Sequence, residues 1–521
     1  MLQQPLQQPE AARKFHIPQH PMHNHKDLRT LLLCALYAFV LLFFLSPDSY
    51  LRDIFYRCDS AIFFMCGKAW MNGMTPYVDF ADSKGPLFWL IYGVGYLLSH
   101  HSYIGVFWIS VVFYTATLFI AYKLCRLFLE PRPSALCVAL LPAVMFLNRY
   151  HGEVRAEDFC YPFIMFSLYG LCRVIRQEEI TKRSIFLVGG GIGISFTACL
   201  LMKWNIAAMI GGPMLCMFIL SFKQKAWGVC LGGMVAGAVV LALPFLIYFL
   251  AFADLGAMID EYFVNTFLTM HGRRNIMAGG ANSADVLTVI LLIGLIFFCW
   301  GHRRYVWLIF CFLVFRVGMG NFKAGYYLAV IFPFFVFFLL AVVGYVHDKY
   351  PQLLHRLTPA CCLLAVIIVV AYNGRQIPSD VCLSEQGREN YYRMAYIMAQ
   401  VEKPKVMTID PDGGFGTPVD ALPAIRYWSY QLGATEEMVA ERYLAIEEQI
   451  PDFIIVWHPY ATDLERVKAE IETSGSYVLY YANQTLYGHP ALYGRPGLKL
   501  PPEDFHVSQW DVWLKRNIFG I

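Results

Sequence analysis

The stretch GMTPYVDFADSKGPL at residues 73–87 is polar, although long apolar runs lie on both sides of it in the chain. It belongs to a segment, residues 47–103, that joins an apolar run at 30–46 to another at 104–122. Two membrane spans can be joined by far fewer residues, and loops of this length are usually either functional or disordered. The many Phe, Trp and Tyr residues argue against disorder. The segment is therefore predicted to be a folded and functional loop.

The composition of the whole chain points to a membrane protein. Of its 521 residues, 58% are hydrophobic and only 15% are charged, whereas soluble proteins have about 45–50% and about 25%. One globular core cannot bury this excess, which excludes a water-soluble enzyme. Most of the 15 cysteines lie inside apolar runs and are expected to be small buried hydrophobic residues.

The apolar residues are grouped into eleven runs that predict membrane spans. They are residues 30–46, 104–122, 134–147, 159–175, 185–202, 206–221, 226–251, 285–300, 305–318, 326–346 and 358–373. A further run at 87–99 is too short for a perpendicular crossing, which needs about 20 residues. It is predicted to be an interfacial helix.

The Lys and Arg residues give the orientation, because they mark cytoplasmic loops. If 87–99 does not cross, the inner segments carry 17 Lys and Arg in 71 residues and the outer segments 10 in 111. This predicts a multi-pass protein of the plasma (inner) membrane with a disordered cytoplasmic leader at 1–29. Loop 47–103 and the C-terminal residues 374–521 are then both extracytoplasmic.

The fold class predicted is mainly α, with a transmembrane helix bundle at 30–373 followed by a small α/β domain at 374–521. The second domain is indicated by strand-like runs at 405–409, 452–456 and 477–481 and by an amphipathic helical stretch at 435–449. We find no internal repeat in the sequence.

Two residues of loop 47–103 are candidates for chemistry. Asp59 precedes a helical apolar pattern, which predicts that it begins an amphipathic helix lying along the membrane surface. Capping is the commoner use of Asp at a helix start, and catalysis is the alternative. Lys84 lies where the chain re-enters apolar sequence. It could extend its ammonium to lipid headgroups, or it could receive a phosphate.

Further charges mark the predicted outer ends of later spans. Three acids, Glu153, Glu157 and Asp158, surround Arg155, and such a cluster is either functional or self-neutralising. The other cations predicted on this side are Lys203, Arg273, Arg274, Arg316 and Lys323. Each alone could be an interfacial anchor, but together, opposite a carboxylate-rich loop, they suit a lipid that carries a phosphate.

An early Asp followed by G-x-x-P-Y-x-D-F-x-D-x-K-G-P-L resembles the GT-C superfamily of membrane glycosyltransferases. The branch that it resembles holds the protein O-mannosyltransferases and the lipid A aminoarabinose transferases. The resemblance continues through residues 155–158, Lys203 and the stretch from Asn321 to Pro333, and so covers about 30–345. Where the family has Asp-Glu in the first loop, this chain has Asp59-Ser60. The family acid two residues after an Arg matches Glu157, with Asp158 as a second candidate.

The resemblance implies that a sugar moves, usually with inversion, from a polyprenyl-phosphate donor to an outer-face hydroxyl of a lipid, protein or glycan. Asp59 would be the general base, with Glu153, Glu157 and Asp158 on the acceptor side. The donor phosphate would be bound by Lys84, Arg155, Lys203, Arg273, Arg274, Arg316 and Lys323. No metal or other cofactor is predicted, although some family members use a metal. The partners expected include membrane lipids but no nucleic acid.

Two other classes of protein are alternatives. A transporter or flippase for lipid-linked glycans would commonly show internal repeats and a binding site at the bilayer midplane. A polysaccharide polymerase or ligase would use a key loop late in the chain.

Overall fold

The fold comes from a computed structural model, which describes only part of the chain. The described residues are 24–46, 48–50, 59–145, 155–177, 180–267, 282–318, 331–376, 385–409, 414–429, 435–456, 464–482, 491–502 and 505.

These residues form seventeen α-helices. They are α1 (Asn24–Leu45), α2 (Asp59–Met71), α3 (Pro86–Leu98), α4 (Ile104–Cys125), α5 (Pro131–Met145), α6 (Ala156–Arg176), α7 (Lys182–Met202), α8 (Ala208–Lys223), α9 (Trp227–Ala251), α10 (Leu255–Met258), α11 (Asn282–Gly301), α12 (Trp307–Gly318), α13 (Phe335–Lys349), α14 (Pro351–Gln376), α15 (Glu385–Met398), α16 (Glu436–Glu447) and α17 (Leu464–Ser474). A π-helical segment, Ile259–Asn265, continues α10, and 3-10 turns precede α8 and α12.

The predicted mainly α membrane fold is confirmed. Eight helices of the described part are long and apolar enough to cross a membrane: Asp27–Leu45, Ile104–Cys125, Ala156–Arg176, Lys182–Met202, Trp204–Lys223, Trp227–Ala251, Ile331–Lys349 and Pro351–Ala371. The other three predicted spans coincide with α5, α11 and α12. The count of eleven spans stays a prediction. Of the predicted leader, residues 24–29 belong to α1, and residues 1–23 lie outside the described part.

The C-terminal part contains one five-stranded sheet, in the order β2-β1-β3-β5-β4. Its strands are β1 (Lys405–Thr408), β2 (Leu422–Pro423), β3 (Phe453–Val456), β4 (Val478–Ala482) and β5 (Ala491–Gly494). β1 pairs in parallel with β2 and β3, and β5 pairs antiparallel with β3 and β4. All four residues of β3 are buried, which is typical of a central strand with both faces covered.

Helices α2, α3 and α4 pack closely because glycines face each other at their contacts. A methyl group built on Gly67 of α2 would lie 2.5 Å from the backbone nitrogen of Gly93 in α3. One built on Gly105 of α4 would lie 2.0 Å from the carbonyl oxygen of Gly95. A side chain at these positions would therefore force the helices apart. The segment 72–85 between α2 and α3 starts from this rigid pair.

The C-terminal part packs against the same end of the bundle as this segment. Tyr103, directly before α4, forms a 2.9 Å hydrogen bond through its hydroxyl with Thr417 Oγ1. A single cluster of buried hydrophobic residues runs from the bundle into the sheet and includes Leu41, Phe63 and Ile454. The chain segment 414–429 thus lies beside α2 and the 73–87 stretch. That this end faces away from the cytoplasm remains a prediction.

Candidate functional site

Asp59 is the first residue of α2 and its side chain is exposed. The prediction that it begins a helix is confirmed. The helix is not amphipathic as predicted, because every residue of 60–69 except Ile62 is buried. Its exposure leaves the carboxylate accessible to a reactant at the end of the helix. The next turn of α2 is buried, and Phe63 there packs edge to face on Phe88 of α3, with ring centroids 4.7 Å apart. Asp59 therefore projects from a helix whose first turns are fixed by packing.

The 73–87 stretch folds into a tight turn around Tyr77. This residue has a φ of 67°, a left-handed conformation that is rare outside glycine, and its N–H donates to the Phe80 carbonyl at 2.8 Å. Its ring packs on Trp89 at 4.5 Å between centroids, and its hydroxyl donates to the Lys84 carbonyl at 3.0 Å. Burial raises the pKa of Tyr77, so the hydroxyl stays a donor. The turn therefore fixes the backbone of Lys84.

The Lys84 ammonium lies close to α2. Its nitrogen is 3.5 Å from Asp82 Oδ2, donates to Ser83 Oγ at 3.2 Å and lies 4.8 Å from the centroid of the Phe63 ring. Because Phe63 is one turn after Asp59, the predicted base and the predicted phosphate ligand are brought to the same corner of the fold. Lys84 is largely covered, with 13% of its side chain exposed.

Lys203 joins this corner because the next residue of the turn, Gly85, docks on the end of α7. The Gly85 N–H donates to the Met202 carbonyl at 3.0 Å. A methyl group on Gly85 would lie only 2.1 Å from the Leu201 carbonyl oxygen, so the contact requires glycine. Lys203 follows Met202 directly and caps the end of α7.

Glu157 and Asp158, at the start of α6, have partners on other helices as well as within the cluster around Arg155. Glu157 is buried and its Oε1 accepts a 2.5 Å hydrogen bond from the Lys203 ammonium, so it pairs with a different helix. Asp158 accepts from the Arg155 N–H at 3.2 Å and from the Tyr114 hydroxyl at 3.3 Å. Glu157 thus reduces the positive charge at Lys203, and Asp158 stabilises the first turn of α6.

An apolar groove of about 360 Å³ opens beside Lys203. It is lined by Trp204, Phe263, Val264 and Phe267. The π-helical segment supplies two of these residues, Phe263 and Val264. It is fixed to α7, because the Tyr262 hydroxyl donates to the Leu200 carbonyl at 2.7 Å. A cationic corner next to an apolar groove suits an amphiphile with an anionic head and a hydrocarbon tail.

The other predicted site residues cannot be placed. Glu153, Arg273, Arg274 and Lys323 lie outside the described residues, and Arg316 is in α12 but its side chain lies outside them. Among the residues that the structure does describe, no three His, Cys, Asp or Glu side chains are grouped as metal ligands.

Sequence reasoning missed two buried charged residues that contact the C-terminal part. Lys68 of α2 is fully buried, and a single lysine inside the apolar stretch AIFFMCGKAWM was the signal that could have found it. Glu261 is buried in the π-helical segment, where its Oε1 accepts from the Tyr427 hydroxyl at 2.5 Å and lies 3.3 Å from Arg426 Nη1. Burial, followed by this hydrogen bond, raises the pKa of Tyr427. The local sequence around Glu261 does not indicate its contacts, because the partner residues Arg426 and Tyr427 belong to the C-terminal part.

A family model described as dolichyl-phosphate-mannose-protein mannosyltransferase matches residues 83–248. The match contains Lys84, the start of α6 and Lys203. No curated protein matches the chain by sequence.

Solved structures match nearly the whole chain. ArnT from Cupriavidus metallidurans bound to undecaprenyl phosphate has a TM-score of 0.56 and 11% identity, over 94% of this chain and 100% of that one. Its apo state has a TM-score of 0.52 and 11% identity, over 90% and 97%. AglB from Archaeoglobus fulgidus, in complex with an inhibitory peptide and a dolichol-phosphate, has a TM-score of 0.46 and 12% identity, over 94% and 75%. The matches to ArnT and the family model together confirm that this chain resembles the GT-C membrane glycosyltransferases and has their fold.

Proposed function

We propose that this protein is an integral-membrane glycosyltransferase that moves a sugar from a polyprenyl-phosphate donor to an acceptor hydroxyl on the outer face of the membrane. The observation that carries the proposal is a set of linked contacts beside an apolar groove. Lys84 contacts Phe63, one turn after Asp59, and Gly85 docks on the residue before Lys203, which pairs with Glu157. A base, a cation for phosphate and an apolar surface for the lipid are the three features that this reaction requires.

In the reaction, the acceptor hydroxyl attacks the anomeric carbon while the bond from that carbon to the phosphate oxygen breaks. Asp59 takes the hydroxyl proton as general base. The electron pair of the broken bond leaves with the polyprenyl phosphate, and the sugar passes through a transition state like the oxocarbenium ion of glycoside cleavage. Because a phosphate can leave as an anion without protonation, no general acid is needed. A single displacement of this kind inverts the anomeric centre.

Lys84 has the principal role in binding the phosphate. It is adjacent to α2, and its ammonium can move from Asp82 to a phosphate oxygen, where it stabilises the charge that develops on the leaving group. Lys203 is already paired with Glu157, so its positive charge is partly neutralised and it contributes less than Lys84 to phosphate binding. Arg155 lies at the start of the same helix as Glu157. Arg273, Arg274 and Lys323, which lie outside the described residues, are proposed with Arg316 as further phosphate ligands.

The donor class is supported by the apolar groove and by one structural match. Trp204 follows Lys203 directly, so the groove begins where the cationic corner ends. A polyprenyl chain in the groove would therefore place its phosphate next to Lys203 and Lys84. The ArnT structure with the higher TM-score was solved with undecaprenyl phosphate bound, a lipid of this class.

The proposal is tested first by identifying the donor. The purified protein is extracted with solvent, and the lipid that accompanies it is identified by mass spectrometry. Transfer is then assayed with the polyprenyl-phosphate sugar of that chain length and with lipid, peptide and glycan acceptors. We expect a polyprenyl phosphate and transfer to one acceptor class. If transport of a lipid-linked glycan across vesicles occurred without transfer, the protein would instead be a flippase.

The role of Asp59 is tested by Asp59→Asn, which removes the basic oxygen and keeps the size of the side chain. We expect turnover with the matched donor to fall by about 100-fold or more, in the range typical of a general base. Asp260→Asn is the matched control, because Asp260 is also exposed and lies on the neighbouring π-helical segment. Wild-type turnover in a folded Asp59→Asn protein would rule out this residue as the base.

A further inference from the structure

Lys68 lies in α2 nine residues after Asp59, and its position is unusual for a lysine. Its side chain is fully buried, and its ammonium donates to the carbonyl oxygens of Gly416 at 2.8 Å and Val419 at 2.7 Å. Burying a lysine is costly unless its charge is stabilised by hydrogen bonds. Two carbonyl oxygens from a segment about 350 residues later provide this stabilisation. Helix α2 is therefore tied to the C-terminal part of the chain.

A second tie joins the C-terminal part to the turn that carries Lys84. The Ala81 N–H, inside this turn, donates to the Arg426 carbonyl at 2.9 Å. The guanidinium of Arg426 lies 3.3 Å from Glu261, which also accepts from the Tyr427 hydroxyl. The backbone and side chain of Arg426 thus link the turn to the π-helical segment, whose Tyr262 is bonded to the end of α7.

We propose that Lys68 is a positioning residue, which holds α2 on the C-terminal segment 414–429 and so sets the place of Asp59 relative to Lys84. The inference rests on the proposed function. The two ties act on the two sides of the reaction: one fixes the helix that carries the base, and the other fixes the turn that carries the phosphate ligand. The C-terminal part is then a structural component of the catalytic corner.

The test uses Lys68→Met in the full-length protein, because methionine keeps the unbranched aliphatic chain and removes the ammonium. Hydrogen exchange by mass spectrometry is measured over residues 59–71 for the variant and the wild type. We expect exchange of the α2 amides to become about tenfold faster, because hydrogen bonds from a charged donor are lost. In the transfer assay we expect kcat to fall about tenfold while the donor KM changes less than about twofold, since a displaced base affects the chemical step.

Asp420→Asn is the control for a nonspecific effect on the interface. Asp420 belongs to the same segment and lies 3.1 Å from His101, but 54% of its side chain is exposed, so the pair contributes little. We expect wild-type exchange and wild-type kcat for this variant. A reduction of the folded fraction alone would be seen as lower yield or melting temperature, with unchanged kcat per folded molecule.

The outcomes separate the inference from the proposed function. Unchanged exchange over 59–71 in folded Lys68→Met overturns the positioning role, and so does faster exchange with unchanged kcat. If the wild type fails to transfer any sugar while the exchange of α2 still responds to Lys68→Met, the proposed function fails. In that case the tie between α2 and the C-terminal part stands.

Discussion

Lys84 is held between an acid and an aromatic ring, and these contacts determine how readily it receives a phosphate. Asp82, with Oδ2 3.5 Å from the ammonium, competes with the donor for the charge of Lys84. We therefore expect Lys84→Met to raise the donor KM by about tenfold or more, and Asp82→Asn to lower it by a few fold. Donor titration of initial transfer rates measures both. A donor KM that is unaffected by Lys84→Met would remove Lys84 from the phosphate site.

Breaking the Glu157–Lys203 pair is expected to lower the stability of the fold. Glu157 has 3% of its side chain exposed and Lys203 has 12%, so Glu157→Gln leaves a largely buried ammonium without its carboxylate. We expect a loss of about 3 kcal/mol in the free energy of unfolding, as for other buried pairs that lose one partner. Reversible unfolding in detergent gives this value.

Asp452→Asn is the comparison for that measurement. Asp452 lies 3.5 Å from Arg495, which has 53% of its side chain exposed, and breaking such a pair costs less than about 1 kcal/mol. If Glu157→Gln and Asp452→Asn lowered the free energy of unfolding by the same amount, Glu157 and Lys203 would not be a buried pair in the membrane.

At this scale the sequence identifies candidates but not their partners. Asp59 could be recognised because a helical apolar pattern follows it, and Lys84 because of the motif around it. That Glu157 pairs with Lys203 depends on the packing of α6 on α7. The carbonyl partners of Lys68 are backbone atoms, and no residue type at those positions indicates them in advance.

Among the elements of the fold, the turn at 73–87 depends most on one backbone contact. Gly85 lies against the end of α7, and the Cβ of an alanine there would collide with the Leu201 carbonyl oxygen. We expect Gly85→Ala to move the turn and Lys84 away from Lys203 and to lower kcat/KM by about 100-fold, since small displacements of reacting groups have effects of this size. Steady-state transfer rates provide the measurement.

Gly211→Ala in α8 is the matched control, because nothing lies within 4 Å of the added methyl group and alanine favours the helix. It should leave transfer unchanged. If Gly85→Ala also left transfer unchanged, the docking of the turn on α7 would not be required for the reaction.

Hydropathy and periodicity located most elements, as the helix predicted at 435–449 and found as α16 illustrates. Strands β2 and β5 were not predicted. β2 has only two residues, too few to show a period, and β5 is recognisable only from its pairing with β3 and β4. Sequence patterns predict no helix at 259–265, between the spans predicted at 226–251 and 285–300. The contacts that fix this segment, those of Tyr262 with Leu200 and of Glu261 with Tyr427, join residues far apart in the chain.

For the whole molecule, the two ties between the 59–87 region and the 414–429 segment require both regions to be on one side of the membrane. We expect single cysteines introduced at Leu90 and Ile450 to be labelled by an impermeant maleimide from the outer side. A cysteine at Lys349, in a predicted inner loop, should be labelled only after permeabilisation. Of the described native cysteines, all except Cys361 and Cys362 are buried. Cys58 and Cys382 lie outside the described residues, so labelling is compared with that of the protein without an introduced cysteine.

Labelling of position 450 from the cytoplasm would overturn the predicted orientation. Labelling of 90 and 450 on opposite sides would contradict the contacts between the bundle and the C-terminal part.

The tie between Lys68 and the carbonyl of Gly416 spans 348 positions of the chain, and this separation has a consequence during biosynthesis. A ribosome that adds about 5–20 residues per second needs roughly 17–70 s to cover this distance. Throughout that interval the nascent helix that begins at Asp59 has an ammonium group without its carbonyl partners. The growing polypeptide would therefore acquire transfer activity only after the segment that contains Gly416 and Val419 has been synthesised and has reached the side of the membrane on which α2 lies.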